Sequence, residues 1–196
     1  MIYTPQKGET ILSEVRVSAD LSAEPVSLAA LKLHLKVDNT ADDDLITNLG
    51  IAARESLEQY SGLSFGIKTL VAYYETYGQN VTLPYGPLDS ITSVVTKDAD
   101  NTATTLTADS DYYLKGSEYP VFWFNQWGLS LEITYVTKAP NTSKLALIEA
   151  AIKKTVSSMY EFREDFVSGT IISKLPEDSK QIMDSISRNT VTLFGF

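Results

Sequence analysis

The chain has 196 residues, 43% of them hydrophobic and 21% charged, enough for one substantial core or a core plus a small inserted module, and too apolar for wholesale disorder. Its 25 acidic and 16 basic residues give a formal net charge of -9, the wrong sign for a protein whose main affinity is for phosphate backbones. Cysteine is absent, which excludes a disulfide scaffold, a thiolate metal site and a thiol nucleophile and fits a reducing cytoplasm; with no leader pattern in MIYTPQKGET and no run of roughly 18 apolar residues, a soluble, unsecreted protein is expected.

Residues 1–20 read as an arm in which Ile11, Val15 and Val17 alternate with Glu14, Arg16 and Ser18 in the period of a short strand that needs a partner surface. In EPVSLAALKLHLKVD, Val26 precedes a Ser27 N-cap, and Leu28, Leu31 and Leu35 recur at helical spacing. A second helix follows. Thr40 is its expected cap, Asp42, Asp43 and Asp44 lie where the helix dipole favours anions, Ile46, Leu49, Ala53, Leu57 and Tyr60 form one stripe, and Gly62 terminates it.

From Gly66 to Lys138 the texture changes to Thr-, Val- and Tyr-rich segments punctuated by Gly78, Asn80, Pro84 to Pro87, Asp98 to Asn101 and Gly116. This predicts an antiparallel β module with strands at Ile67 to Tyr77, Ser90 to Thr96, Thr104 to Leu106, Tyr112 to Leu114, Pro120 to Phe124 and Leu129 to Thr137. Helical periodicity returns after Pro140. Thr142 or Ser143 is the expected cap, and Leu145, Ile148, Ile152, Val156, Met159 and Phe162 share a face. Beyond a polar loop, Pro176 opens a short helix through Ile182, Met183 and Ile186, and the chain ends in VTLFGF.

The expected fold class is therefore α+β: a helical core of two N-terminal helices, one long C-terminal helix and a short terminal helix, with an inserted antiparallel β module. The boundaries follow as an arm at 1–20, a helical core at 21–65 and 139–189, a β module at 66–138 and an apolar tail at 190–196.

Residues able to carry chemistry are few. The single histidine, His34, has no serine-nucleophile motif or second metal-ligand histidine beside it, and the glycine-rich phosphate loop, G-x-S-x-G and H-E-x-x-H are all missing from the sequence. Asp98, Asp100 and Asp109 fall near EF-hand spacing, but Ala103 replaces the mid-loop glycine and no glutamate closes the set, so a hairpin turn is the simpler account. The Asp42 to Asp44 run suits a helix N-terminus, and Glu161 with Glu164 suits a solvated helix face. No catalytic residue, metal or cofactor is expected, and no enzyme. The sequons at Asn80 and Asn141 carry no meaning without secretion.

Two apolar groups remain. Tyr119, Phe122, Trp123, Phe124 and Trp127 have no basic residue among them, which suits β-module packing or a protein interface better than single-stranded nucleic acid. Tyr119, Phe122, Trp123 and Trp127 are the candidate β-module interface. Val191, Leu193, Phe194 and Phe196, in a tail without cap or turn signals, either pack back on their own subunit or order in a groove on a neighbour, and form the candidate partner interface.

The string EPVSLAALKLHLKVDNTADDDLITNLGIAARESLEQYSG resembles the N-terminal signature of tailed-phage head-to-tail connector (adaptor) proteins of the φE125 gp8 and HK97 gp6-like kind, through Pro25 to Leu28, Lys32, Leu35, Val37, Asp38, Asp43 to Ile46, Ala52 to Glu55, Glu58 and Gly62. LPYGPLDSITSVVTKD resembles that family's proline-led strand, Asp111 to Leu114 its short Tyr-x-Leu strand, and Ile152 to Arg163 its C-terminal helix. Leu63 stands where that family usually has an arginine, and the apolar tail has no counterpart in the pattern. The resemblance implies a structural subunit of the virion neck, assembled in the host bacterial cytoplasm. It would form a homo-oligomeric ring of about twelve copies, bound to the portal protein and to a downstream stopper or tail protein. DNA would pass through the channel without sequence-specific binding, and no membrane is involved. Another neck ring protein, a stopper or tail terminator, is the alternative; a carbohydrate- or receptor-binding module using Tyr119 to Trp127 is a second.

Overall fold

A computed structural model describes residues 8–161 and 175–187. The chain is α+β and divides into two compact units, one built from the chain up to Leu21 with Gly66–Ala139 and the other from Ser22–Phe65 with the chain from Pro140 onward. The candidate partner-interface residues Val191, Leu193, Phe194 and Phe196, like Phe162, Arg163 and Glu164, lie outside the described residues.

The first unit is antiparallel β. Its strands are β1 (Ile11–Ala19), β2 (Thr69–Tyr77), β3 (Asn80–Thr82), β4 (Leu88–Lys97), β5 (Ala103–Thr105), β6 (Tyr112–Lys115), β7 (Val121–Phe124) and β8 (Gly128–Thr137). One sheet runs β1-β2-β8-β4-β5 and the other β3-β7-β6. The alternation read over residues 11–18 finds its partner within the unit, since β1 pairs along β2 with Val15 opposite Ala72.

The core follows from period two. On β2 Leu70, Ala72 and Tyr74 face inward, and across the ladder they meet Tyr135, Ile133 and Leu131 of β8. The small sheet contributes Val81, Tyr112, Phe122 and Phe124 to the same cluster. Tyr77 meets Phe124 edge-on with ring centroids 4.9 Å apart, and Tyr112 lies 5.5 Å from Phe122, geometries that add specificity to area burial. β3 was not expected from the sequence. Its three residues sit beside Gly78, and only the pairing of Val81 with Phe122 on β7 makes them a strand.

The second unit is helical: α1 (Leu28–Leu35), α2 (Asp43–Ser61), α3 (Thr142–Glu161) and α4 (Glu177–Ile186). Ser27 caps α1, its hydroxyl accepting from the Ala30 N–H, and Leu31 packs so closely on α2 that a Cβ at Gly50 would lie 3.0 Å from its Cδ1. Thr40 does not cap α2 with its side chain. Asp42 occupies the N-cap, and its carboxylate accepts instead from the Tyr160 hydroxyl on α3 at 2.6 Å. The α2 stripe is also rotated from the expected one: Ile46, Ala53 and Leu57 are buried with Gly50, Arg54, Glu58 and Ser61, while Tyr60 is exposed.

The cap of α3 is Asn141 and not Thr142 or Ser143: its side-chain oxygen accepts from the Lys144 N–H and its carbonyl from Leu145. α3 buries Ile148, Ala151, Ile152, Thr155 and Val156. α4 lies against it through Ser179, whose hydroxyl accepts from Thr155 and donates to the Ala151 carbonyl, with Met183 and Ile186 buried beyond.

Gly62 ends α2 in the left-handed region at φ 67, its N–H donating to the Glu58 carbonyl. A Cβ there is disfavoured. Gly62→Ala is accordingly expected to lower stability by about 1–2 kcal/mol, read as a shifted urea midpoint at unchanged m-value.

Candidate functional site

Several of the residues singled out for chemistry have structural occupations. His34 is exposed on α1 and borders a shallow groove of about 310 Å³ with Lys154, Ser157, Pro176, Glu177 and Asp178. Asp98 closes the β4–β5 hairpin, one carboxylate oxygen accepting from the N–H groups of Asp100 and Thr102. Asp109 adopts φ 65 in the turn before β6, and Asp111 accepts from the Thr107 N–H. Asp43 pairs with Lys32 at 2.5 Å, tying α2 to α1. Among the described residues no group of three or more His, Asp or Glu is placed to hold a metal ion.

The aromatic cluster is divided by the alternation of β7. Phe122 is fully buried and Phe124 nearly so, so Phe122 does not belong to the candidate interface: it faces the core because its neighbours on β7 face out. Trp123 points outward and stacks on Tyr113 of β6, centroids 6.1 Å apart and planes 15° from parallel. Lys115 lies over both rings, its Nζ 4.2 Å from the Trp123 centroid and 5.9 Å from that of Tyr113. Tyr119 is half-buried against Gly86, where a Cβ would come within 2.7 Å of its ring. Trp127 is 44% exposed, and Tyr113 41%. Sequence reasoning missed Tyr113 and Lys115. Only the register that sets Tyr113 opposite Trp123 and Lys115 opposite Val121 brings them to this face.

A second constellation was also missed, inside the helical unit. Arg54 on α2 is 1% exposed. Its Nε donates to Glu24 at 2.8 Å, one Nη to Glu58 at 2.9 Å, and the other lies 3.6 Å from Glu55. The second oxygen of Glu58 accepts from the Phe65 N–H at 2.7 Å, past the Gly62 stop. One guanidinium thus fastens the segment before α1, the α2 shaft and the turn after α2. The Ala-Ala-Arg-Glu-x-x-Glu letters at 52–58 have a folding role.

Hydrogen bonding to Asp184 raises the Tyr60 phenol above its usual range, and burial, with Asp109 second, raises Tyr112. Lys154, hydrogen-bonded to Asp178 at 2.7 Å between α3 and α4, holds that carboxyl below the usual range. A carboxylate depressed on folding contributes stability above its unfolded pKa and loses it as pH falls through the lower folded value. Lys154→Met is therefore expected to weaken amide protection of α4 at neutral pH and to make no difference at a pH below both values. Hydrogen exchange at the two pH values checks this; equal protection at neutral pH would show that solvent screening has already removed the contribution.

Residues 25–120 match the family model described as phage gp6-like head-tail connector protein. No curated protein matches the chain. Among solved structures, the chain is similar to one from the neck of an empty gene transfer agent particle computed with C6 symmetry, with TM-score 0.65 and 16% identity over 87% of this chain and 95% of that one. It is equally similar to a chain from the virion of a native gene transfer agent particle, with TM-score 0.65 and 16% identity over 88% of this chain and 94% of that one. A chain from the neck of a native particle computed with C12 symmetry gives TM-score 0.63 at 15% identity, covering 88% and 94%. At such identities the likeness is one of fold.

Proposed function

We propose, from the premise that this chain belongs through residues 25–120 to the phage gp6-like head-tail connector family, that it is a structural subunit of the virion neck, a ring-forming adaptor and not an enzyme. The observation that supports this most is the match of residues 25–120 itself, which takes in α1, α2 and the β module as far as Pro120. Within it, Ser27, Lys32, Asp43, Arg54, Glu58 and Gly62 cap, pair or terminate the two N-terminal helices. The fold likeness to neck chains extends over 87% of the chain.

In this reading the chain forms a closed ring with the cyclic symmetry of those necks, about twelve copies, between the portal and a downstream stopper or tail protein. DNA passes through the lumen without sequence-specific contact. A lumen that shares the acidic balance behind the net charge of -9 would keep a moving phosphate backbone from adhering.

Mixing the purified chain with the portal of the same phage tests the assignment. Co-sedimentation and rings on the portal in negative stain are the expected result. A chain that ignores the portal and binds an already completed neck would be a stopper or terminator instead. The carbohydrate-binding alternative has less support: Lys115 covers the Trp123 and Tyr113 rings on which a sugar would stack.

A further inference from the structure

Two exposed apolar patches, one on each unit, carry opposite charge. The first is the outer side of α1. Six of its eight residues, Leu28, Ala29, Ala30, Leu31, Leu33 and Leu35, are apolar, and they are distributed around the helix, the pattern of a helix covered on more than one side. Leu31 is 2% exposed against α2, but Leu33 is 83% exposed. Beside it stands exposed Lys36, with exposed Asp38 two residues further on, so the patch is apolar with a cation at its immediate border.

The second patch is at one end of the five-stranded sheet. Trp127, immediately before β8, and Leu129, its second residue, are each 44% exposed. The Thr96 hydroxyl on β4 donates to the Leu129 carbonyl at 3.1 Å, which places them next to the hairpin turn bearing exposed Asp98 and Asp100. This patch is apolar with an acidic border.

A cyclic ring needs a heterologous contact, in which one surface of each subunit meets a different surface of the next. We propose that these two patches are the halves of that contact: Leu33 of one copy packs against Trp127 and Leu129 of the adjacent copy, and Lys36 faces Asp98 and Asp100. The contact rests on the ring reading above and specifies which surfaces make the ring. Large apolar anchors supply the central burial, while the charged borders fix register and disfavour patch-to-self pairing, where basic would meet basic or acidic meet acidic.

The absence of cysteine makes the contact directly testable. Leu33→Cys and Leu129→Cys are introduced together and singly, rings are assembled on the portal, and a short bis-maleimide is added. The double variant is expected to give a ladder of covalent oligomers up to the closed ring, and each single variant only monomer on a denaturing gel. Cross-linking by a single variant, or a double variant that forms rings by microscopy but gives no ladder, would overturn the contact. In parallel, Lys36→Glu is expected to lower ring yield roughly tenfold with an unchanged circular dichroism spectrum, and Asp100→Lys in the same chain, which leaves the Asp98 turn intact, to restore it. Native-like ring yield from Lys36→Glu alone would also overturn it. If the unaltered chain forms no ring on the portal, the neck assignment itself fails, a result distinct from rings that form without this contact.

Discussion

Replacing Arg54 by alanine is expected to destabilise the helical unit by about 3–5 kcal/mol, the usual cost of removing one partner from a buried ion pair. Arg54 is 1% exposed and Glu58 5%, so the variant leaves the Glu58 carboxylate desolvated and without its cation. The loss does not stop at Coulombic attraction. Glu58 also accepts from the Phe65 N–H, and a carboxylate that takes up a proton or turns toward water releases that turn. Arg54→Lys should recover only part of the loss, because an ammonium is a point charge and cannot serve Glu24 and Glu58 in two directions as the guanidinium fork does. Arg54→Met combined with Glu58→Leu should be less damaging than Arg54→Ala alone, since it removes the charges together and keeps the volume. Urea unfolding of the four proteins, followed by circular dichroism, gives the comparison. A double replacement as unstable as the single would mean that the cluster acts through geometry at the Phe65 turn and not through charge.

Arg54 also shows where sequence reading reaches its limit. Helical periodicity located α1, α2, α3 and α4 because leucine and isoleucine spacing is a local signal, and Ser27 and Gly62 are legible because a capping hydroxyl or a left-handed glycine acts within its own turn. Arg54 is charged, and a charge on a helix reads by default as solvent-facing. Only the convergence of Glu24, thirty positions earlier, and Glu58, one turn later, makes its burial tolerable, and no window along the chain contains that fact. Asn141 is a milder case: three consecutive residues, Asn141, Thr142 and Ser143, can all cap a helix, and their side chains alone do not choose among them.

The β module divides in the same way. Alternation placed six of the strands between Gly66 and Lys138, yet not β3, whose three residues have no pattern of their own. The aromatic run from Tyr119 to Trp127 announced that burial or binding was at stake. Which aromatic does which is set by strand register, and a shift by one residue would exchange the two faces.

That division gives the second large effect. Phe122→Ala is expected to cost about 3–5 kcal/mol, the range for truncating a fully buried phenylalanine, because the ring is 0% exposed and lies between Tyr112 and Phe124 at 5.5 and 5.9 Å. Removing it opens a cavity under Val81, which it faces across the β3–β7 ladder, so the short β3 should lose protection first. Trp123→Ala, one position along, removes a stack worth about 0.5–1.5 kcal/mol and an exposed cation–π contact worth about 0.5–1 kcal/mol. The fold should survive it with a loss below that of Phe122→Ala. The two variants therefore separate packing from partner binding at adjacent residues: Phe122→Ala should reduce neck assembly only in proportion to the unfolded fraction, while Trp123→Ala should reduce it in a protein whose urea midpoint remains close to native if the outer face meets a partner. Equal urea midpoints for the two would contradict the register of β7, and full assembly of Trp123→Ala would leave the Tyr113–Trp123–Lys115 stack as a solvent-facing brace between β6 and β7.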